Sequence, residues 1–107
     1  MIDNKQKILK LIAEGESRTL EFKESKNNIS RCVYETVCAF LNRNGGILLL
    51  GVSDSGKIIG IDPECITQIR KDFITAINNP QKISPACYLS IEDYQINGKA
   101  ILKIYID

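Results

Sequence analysis

The chain contains no histidine. That absence excludes Ser-His-Asp and Cys-His catalysis, His-ligated metal sites and any imidazole acid or base. Carboxylate, lysine, cysteine, hydroxyl and backbone are left for chemistry. The four cysteines, Cys32, Cys38, Cys65 and Cys87, are separated by 6, 27 and 22 positions with no C-x-x-C pair. A closed four-thiolate zinc site is therefore not expected. Cys32 and Cys38 fall in a helical apolar pattern and Cys87 in a strand-like run, so they read as small buried hydrophobes of a reducing, cytoplasmic protein. No apolar run approaches the roughly 18 residues of a membrane-spanning helix, and the polar opening MIDNKQK lacks the apolar stretch of a signal peptide. Neither charge is in excess: 14 Lys and Arg stand against 13 Asp and Glu, a net +1. A strongly cationic nucleic-acid-coating protein and an acidic tail are both excluded. Any nucleic-acid site has to come from local placement of charge.

What is present is ordinary globular composition, 44% hydrophobic and 25% charged over 107 residues, which is one domain with enough chain for a core. Asp3 and Gln6 have capping-box spacing before a first helix, whose apolar stripe is Ile8, Leu9, Leu11 and Ile12, with Lys5, Lys7 and Lys10 mostly on other faces. Gly15 is its stop. Thr19 to Lys23 alternates, predicting a short strand with Leu20 and Phe22 inward and Glu21 and Lys23 on the opposite face. Ile29, Cys32, Val33, Thr36, Val37, Phe40 and Leu41 recur at helical spacing, ended by Asn42 to Gly46. Ile47 to Val52 is a continuous apolar run, expected as a central strand covered on both faces. Ser53 to Gly56 is a turn, and Lys57 to Gly60 reads as a returning strand. Asp62, Pro63 and Glu64 open a helix with Ile66, Ile69, Phe73 and Ile77 inward. Cys87 to Glu92 and Lys99 to Ile106 read as strands, joined through an Asn97-Gly98 turn. The expected order is α-β-α-β-β-α-β-β: an α+β domain, a mixed β-sheet of about five strands with three helices packed on it.

Three features carry candidate chemistry. Glu16 and Glu21 are five apart and converge only if the chain turns between Glu16 and Leu20; two such carboxylates could hold a divalent cation against a phosphate. The same residues also fit a solvated strand edge with a weak Glu21–Lys23 pair. Gly51 to Ile58 nearly matches the phosphate loop G-x-x-x-x-G-K-[ST], but Ile58 replaces the metal-binding hydroxyl and a strand, not a helix, follows. Asp54 in this turn is an acid just beyond a buried strand, able to join Glu16 and Glu21. The basic set Arg18, Lys23, Lys26, Arg31 and Arg43 becomes a phosphate-binding face only if the fold clusters it. No aromatic single-strand platform and no basic helix-turn-helix pair is visible.

The segments E-S-R-T-L-E-F-K-E-S, A-F-L-N-R-N-G-G and I-L-L-L-G-V-S-D-S-G-K-I-I-G-I together resemble the divergent Alba-like DNA-binding domain found at the N-terminus of prokaryotic transcriptional regulators and in the Schlafen proteins. The resemblance covers about residues 12 to 106. It implies an α+β nucleic-acid-binding domain, residues 1–107, forming the N-terminal part of a longer protein whose C-terminal regulatory region is missing from this chain. Arg18, Lys23, Lys26 and Arg43 would then contact nucleic acid, DNA or RNA, in a homo-oligomer with no membrane partner and no firm cofactor. By motif position, the three acids of Schlafen nucleases fall on Glu16, Glu21 and Asp54, with Lys23 beside them. The alternative it implies is a metal-dependent endoribonuclease lobe holding Mg or Mn. A weaker alternative is an ATP-binding regulatory domain.

Overall fold

The computed structural model describes residues 4–29, 31–43, 45–77 and 89–106. Ile8 on the inner side of α1 (Asn4–Glu14) is fully buried, and Gly15 ends the helix at φ +81°. The Asp3 cap lies outside the described residues. Period-two burial defines β1 (Leu20–Lys23), with Leu20 and Phe22 in the core. α2 (Arg31–Leu41) buries Val33, Val37 and Phe40, one stripe of a 3.6-residue repeat. β2 (Gly46–Leu50) follows, then, after a loop, a single 3-10 turn (Pro63–Cys65) and α3 (Ile66–Ile77), which buries Ile69, Phe73 and Ala76. β3 (Leu89–Ile96) and β4 (Lys99–Ile106) close the chain.

The sheet order is β1-β2-β4-β3; β1 runs parallel to β2, and the other two pairings are antiparallel. β2 is interior, as its unbroken apolar run requires. Its side chains alternate between two clusters. Leu48 and Leu50 pack with Val33, Val37 and Phe40 of α2, Ile69 and Phe73 of α3, and Leu102, Ile104 and Ile106 of β4. Leu49 packs on the other face with Ile8, Leu20, Phe22, Val52, Ile96 and Ile101. The domain is α+β, with α2 and α3 on one face of the sheet and α1 on the other. No polar or charged side chain is buried among the described residues, so every group able to do chemistry lies at or near the surface.

Three differences from expectation have local causes. Among the described residues the sheet has four strands, because Lys57 to Gly60 forms only an isolated bridge, Val52 with Ile58. Gly51 and Gly60 take φ of +100° and +84°, which carries the chain away before a ladder extends. Cys32 is exposed and Cys38 and Cys65 are half-buried. The α2 stripe centres on Val33 and Val37, and Cys32 falls a helical step to one side. Asp62 makes no side-chain cap; its carbonyl accepts the Cys65 N–H at 2.9 Å, starting the helix as 3-10. Cys87, the Asn78-Asn79-Pro80 stop and the Ser84-Pro85 opening fall outside the described residues. The Asn97-Gly98 turn behaves as read, with φ of +53° and +78°.

Gly46 matches a close approach: a Cβ there would lie 2.7 to 2.9 Å from the Phe40 ring. Replacing Gly46 with Ala should cost about 1–3 kcal/mol by overpacking, read as a lowered thermal midpoint. An unchanged midpoint would show that the α2–β2 junction is looser than the packing implies.

Candidate functional site

The β1 edge is built by a hook. Past Gly15 the chain reverses at Ser17 to Leu20: Ser17 N donates to Leu20 O at 2.8 Å and Leu20 N to Ser17 O at 3.4 Å. Ser17 Oγ accepts the Thr19 N–H at 3.2 Å. This is the turn that convergence of Glu16 and Glu21 requires. On its inner side β1 joins β2, with Ile47 N donating to Thr19 O and Gly51 N to Lys23 O. Phe22 N instead donates to Glu16 Oε2 at 3.4 Å. A side-chain carboxylate thus occupies the hydrogen-bonding place that a further strand would take.

Glu21 and Lys23 alternate with the buried Leu20 and Phe22 and stand half-buried on the α2 face of the sheet. Burial pushes the Glu21 carboxyl above its ordinary range; a hydrogen bond with Glu16 and that neighbour's like charge push it further, while Lys23 opposes them. Lys23 Nζ is 3.7 Å from Glu21 Oε1. Two neighbouring carboxylates beside one ammonium can face a cation or a polar ligand.

Asp54 lies exposed in the turn after β2, beyond the Lys23 end of β1. No three His, Cys, Asp or Glu side chains among the described residues stand close enough to hold a metal ion together. The fold therefore pairs Glu16 with Glu21 and leaves Asp54 apart. The turn itself is self-contained. Ser53 N donates to Lys57 O, Gly56 N to Ser53 O, and Lys57 N to Ser53 Oγ. Those amides are engaged within the turn, whereas a phosphate cradle would leave them free for the ligand.

Arg18 sits exposed in the hook, Lys26 is exposed past the C-terminal end of β1, and Arg43 is exposed just after α2, at the entry to β2. Because β1 and β2 are parallel, Arg18 and Arg43 lie toward one end of this edge and Lys23 and Lys26 toward the other. The side chain of Arg31 lies outside the described residues. The carboxylate cap on Phe22 N was not anticipated from the residues. Its signal is the turn-forming Ser17-Arg18-Thr19 placed between an acid and an alternating strand.

The raised Glu21 pKa fixes a sign. The folded state holds that proton more tightly than the unfolded chain, so the associated stability is present below the ordinary carboxylate range and lost as pH rises through the raised value. Glu21→Gln removes the ionisation and should melt at or above wild type at pH 7, by no more than a few degrees given the partial exposure. That advantage should shrink toward acid. Thermal melts across pH check this; a variant that melts lower by a pH-independent margin would contradict it.

The hook, the apolar strand and the hairpin all fall within residues 16–107, which match the family model described as Schlafen, AlbA_2. A protein of Ureaplasma parvum named an uncharacterized ATP-binding protein is 36% identical over 89 residues, covering 80% of this chain and 24% of that protein. This chain thus spans about a quarter of that relative's length. The N-terminal domain of a RecG-related protein from Nitrosomonas europaea superposes with a TM-score of 0.65 at 25% identity, over 98% of this chain and 73% of the other. The DIP2311 protein of Corynebacterium diphtheriae shares the fold, with a TM-score of 0.59 at 18% identity over 97% of this chain and 26% of that one. With the family match beginning at Glu16 of the hook and running through β4, this chain belongs to the Schlafen AlbA_2 family.

Proposed function

We propose that the domain binds nucleic acid through backbone phosphates along the β1 edge, as a module of a transcriptional regulator. One observation carries the reading. Arg18, Lys26 and Arg43 are exposed, enter no ion pair among the described residues, and bracket a single short strand. β1 has four residues at about 3.3 Å each, comparable with three or four nucleotides at about 3.4 Å rise along one strand. Membership of the family and likeness to a domain named for RecG support the same reading. Lysine and arginine contacts to phosphate position the polymer without reading sequence. Few contacts from one domain mean weak, salt-sensitive affinity, which pairing with a second copy would strengthen.

Arg18→Glu combined with Arg43→Glu should weaken binding of a labelled duplex or RNA in low salt. It should also make the log–log salt slope shallower by about two. Wild-type affinity that does not respond to salt would remove the basis for the reading.

A ribonuclease reading is favoured by one observation, the neighbouring Glu16 and Glu21 carboxylates beside Lys23. Its donor set is incomplete as it stands: Mg²⁺ takes about six oxygens, and Asp54 does not join the pair among the described residues. No catalytic step is therefore assigned. Under this reading wild type cleaves structured RNA with Mn²⁺, and neither the Glu21→Gln variant nor an EDTA-treated sample does; cleavage that persists in both would end it. An ATP-binding role draws no support from the 53–57 turn, where the Ser53, Gly56 and Lys57 amides donate to oxygens of the turn itself. The ATP-binding name belongs to a relative of which this chain covers 24%.

A further inference from the structure

The fold concentrates charge that the sequence spreads evenly. α1 lies on the sheet face opposite α2 and α3, and three contacts determine what stands beside it. Lys5 Nζ donates to Asn97 Oδ1 at the β3–β4 turn, 3.4 Å away. Gly56 packs against α1 so closely that an added Cβ would be 3.4 Å from Ile12 Cγ2. Lys99 Nζ donates to the Ile58 carbonyl at 3.3 Å. The helix, the 53–57 turn and the base of the hairpin thus gather Lys5, Lys7, Lys10, Lys57 and Lys99 on one side, all exposed. None of the five is in an ion pair among the described residues. The half-buried sheet lysines differ: Lys23 pairs with Glu21 at 3.7 Å and Lys103 with Glu92 at 3.5 Å.

The acids of this side are Glu14, Asp54 and Glu92, the last paired with Lys103 on the same sheet face, with Asp3 preceding the helix in sequence. Six lysines, Lys103 included, against four acids leave eight cations and nine acids on the rest of a chain whose totals are 14 and 13. The β1 edge sets Arg18, Lys23, Lys26 and Arg43 against Glu16, Glu21 and Glu24. The α1 side is therefore the more positive of the two. Summed local charge, more than net charge, attracts a polyanion.

We propose that the α1 side is a second phosphate-backbone contact for nucleic acid and contributes more to affinity than the β1 edge. This rests on the nucleic-acid reading and adds a surface to it. Ammonium groups on flexible stems neutralise phosphates as point charges without reading bases. A lipid surface would need a broad apolar face beside the lysines. α1 instead directs Ile8 into the core and half-buries Leu11 and Ile12, leaving Leu9 as its exposed large apolar residue.

The test is fluorescence anisotropy of the full chain with a labelled duplex of arbitrary sequence and with single-stranded RNA, across a salt series. Lys7→Glu with Lys10→Glu should weaken binding by roughly tenfold or more and make the log–log slope shallower by about two. That loss should exceed the loss from Arg18→Glu with Arg43→Glu. Lys7→Arg with Lys10→Arg should bind as wild type does. So should Lys71→Glu, an exposed change on α3. Thermal melts verify that each variant is folded. If the Lys7/Lys10 reversal binds like wild type while the Arg18/Arg43 reversal does not, this inference falls and the nucleic-acid reading stands. If wild type binds neither polymer in low salt, or binds only phosphatidylserine vesicles, both fall.

Discussion

Leu48, Leu49 and Leu50 are each fully buried, and successive strand residues point to opposite faces. Three consecutive leucines out of water therefore require cover on both sides of β2. α2 and α3 supply it on one face and α1, with β1 and the loop residue Val52, on the other. Burial of each such side chain is worth about 1.5–3 kcal/mol, which makes the strand the anchor of both clusters. β1 and β4 must flank it to satisfy its backbone, and the rest of the topology follows. β1 becomes an edge next to an interior strand.

That edge position creates the site. An outer strand presents backbone donors that would recruit another chain, and here the Phe22 N–H is met by Glu16. Holding Glu16 there brings its carboxylate onto Glu21, and the like charge raises the Glu21 pKa together with burial. Lys23 offsets part of this from 3.7 Å. A feature that blunts an edge thus also sets two carboxyls side by side and raises the pKa of Glu21.

The same topology sorts the cations. Lysines whose stems lie along the sheet are paired with glutamates at half-buried positions, where an uncompensated charge would be costly. The exposed lysines around α1 (Lys5, Lys7, Lys10, Lys57 and Lys99) enter no ion pair among the described residues, so their field extends into solvent. A chain of net charge +1 therefore presents one paired, nearly balanced edge and one distinctly positive side, both compatible with a phosphate polymer.

Much of this was legible in the residues themselves. Alternation at Leu20 and Phe22, the unbroken run from Ile47 and the Asn97-Gly98 turn each specify local geometry through side-chain period or backbone φ, and neither depends on distant partners. The absence of histidine excluded imidazole chemistry without any structure. The strandless return after Lys57, the exposed Cys32 and the missing Asp62 side-chain cap were not legible, because each depends on how neighbouring segments pack. The pairing of Glu16 with Glu21 was legible only as a condition on a turn. The gathering of Lys57 and Lys99 beside α1 was not legible at all: those residues lie more than forty positions from the helix, and only closure of the sheet brings them to it. Composition and period determined which elements form and which chemistries are open to the protein. The three-dimensional arrangement alone decided which charges meet, because electrostatic interaction depends on distance through space and not along the chain.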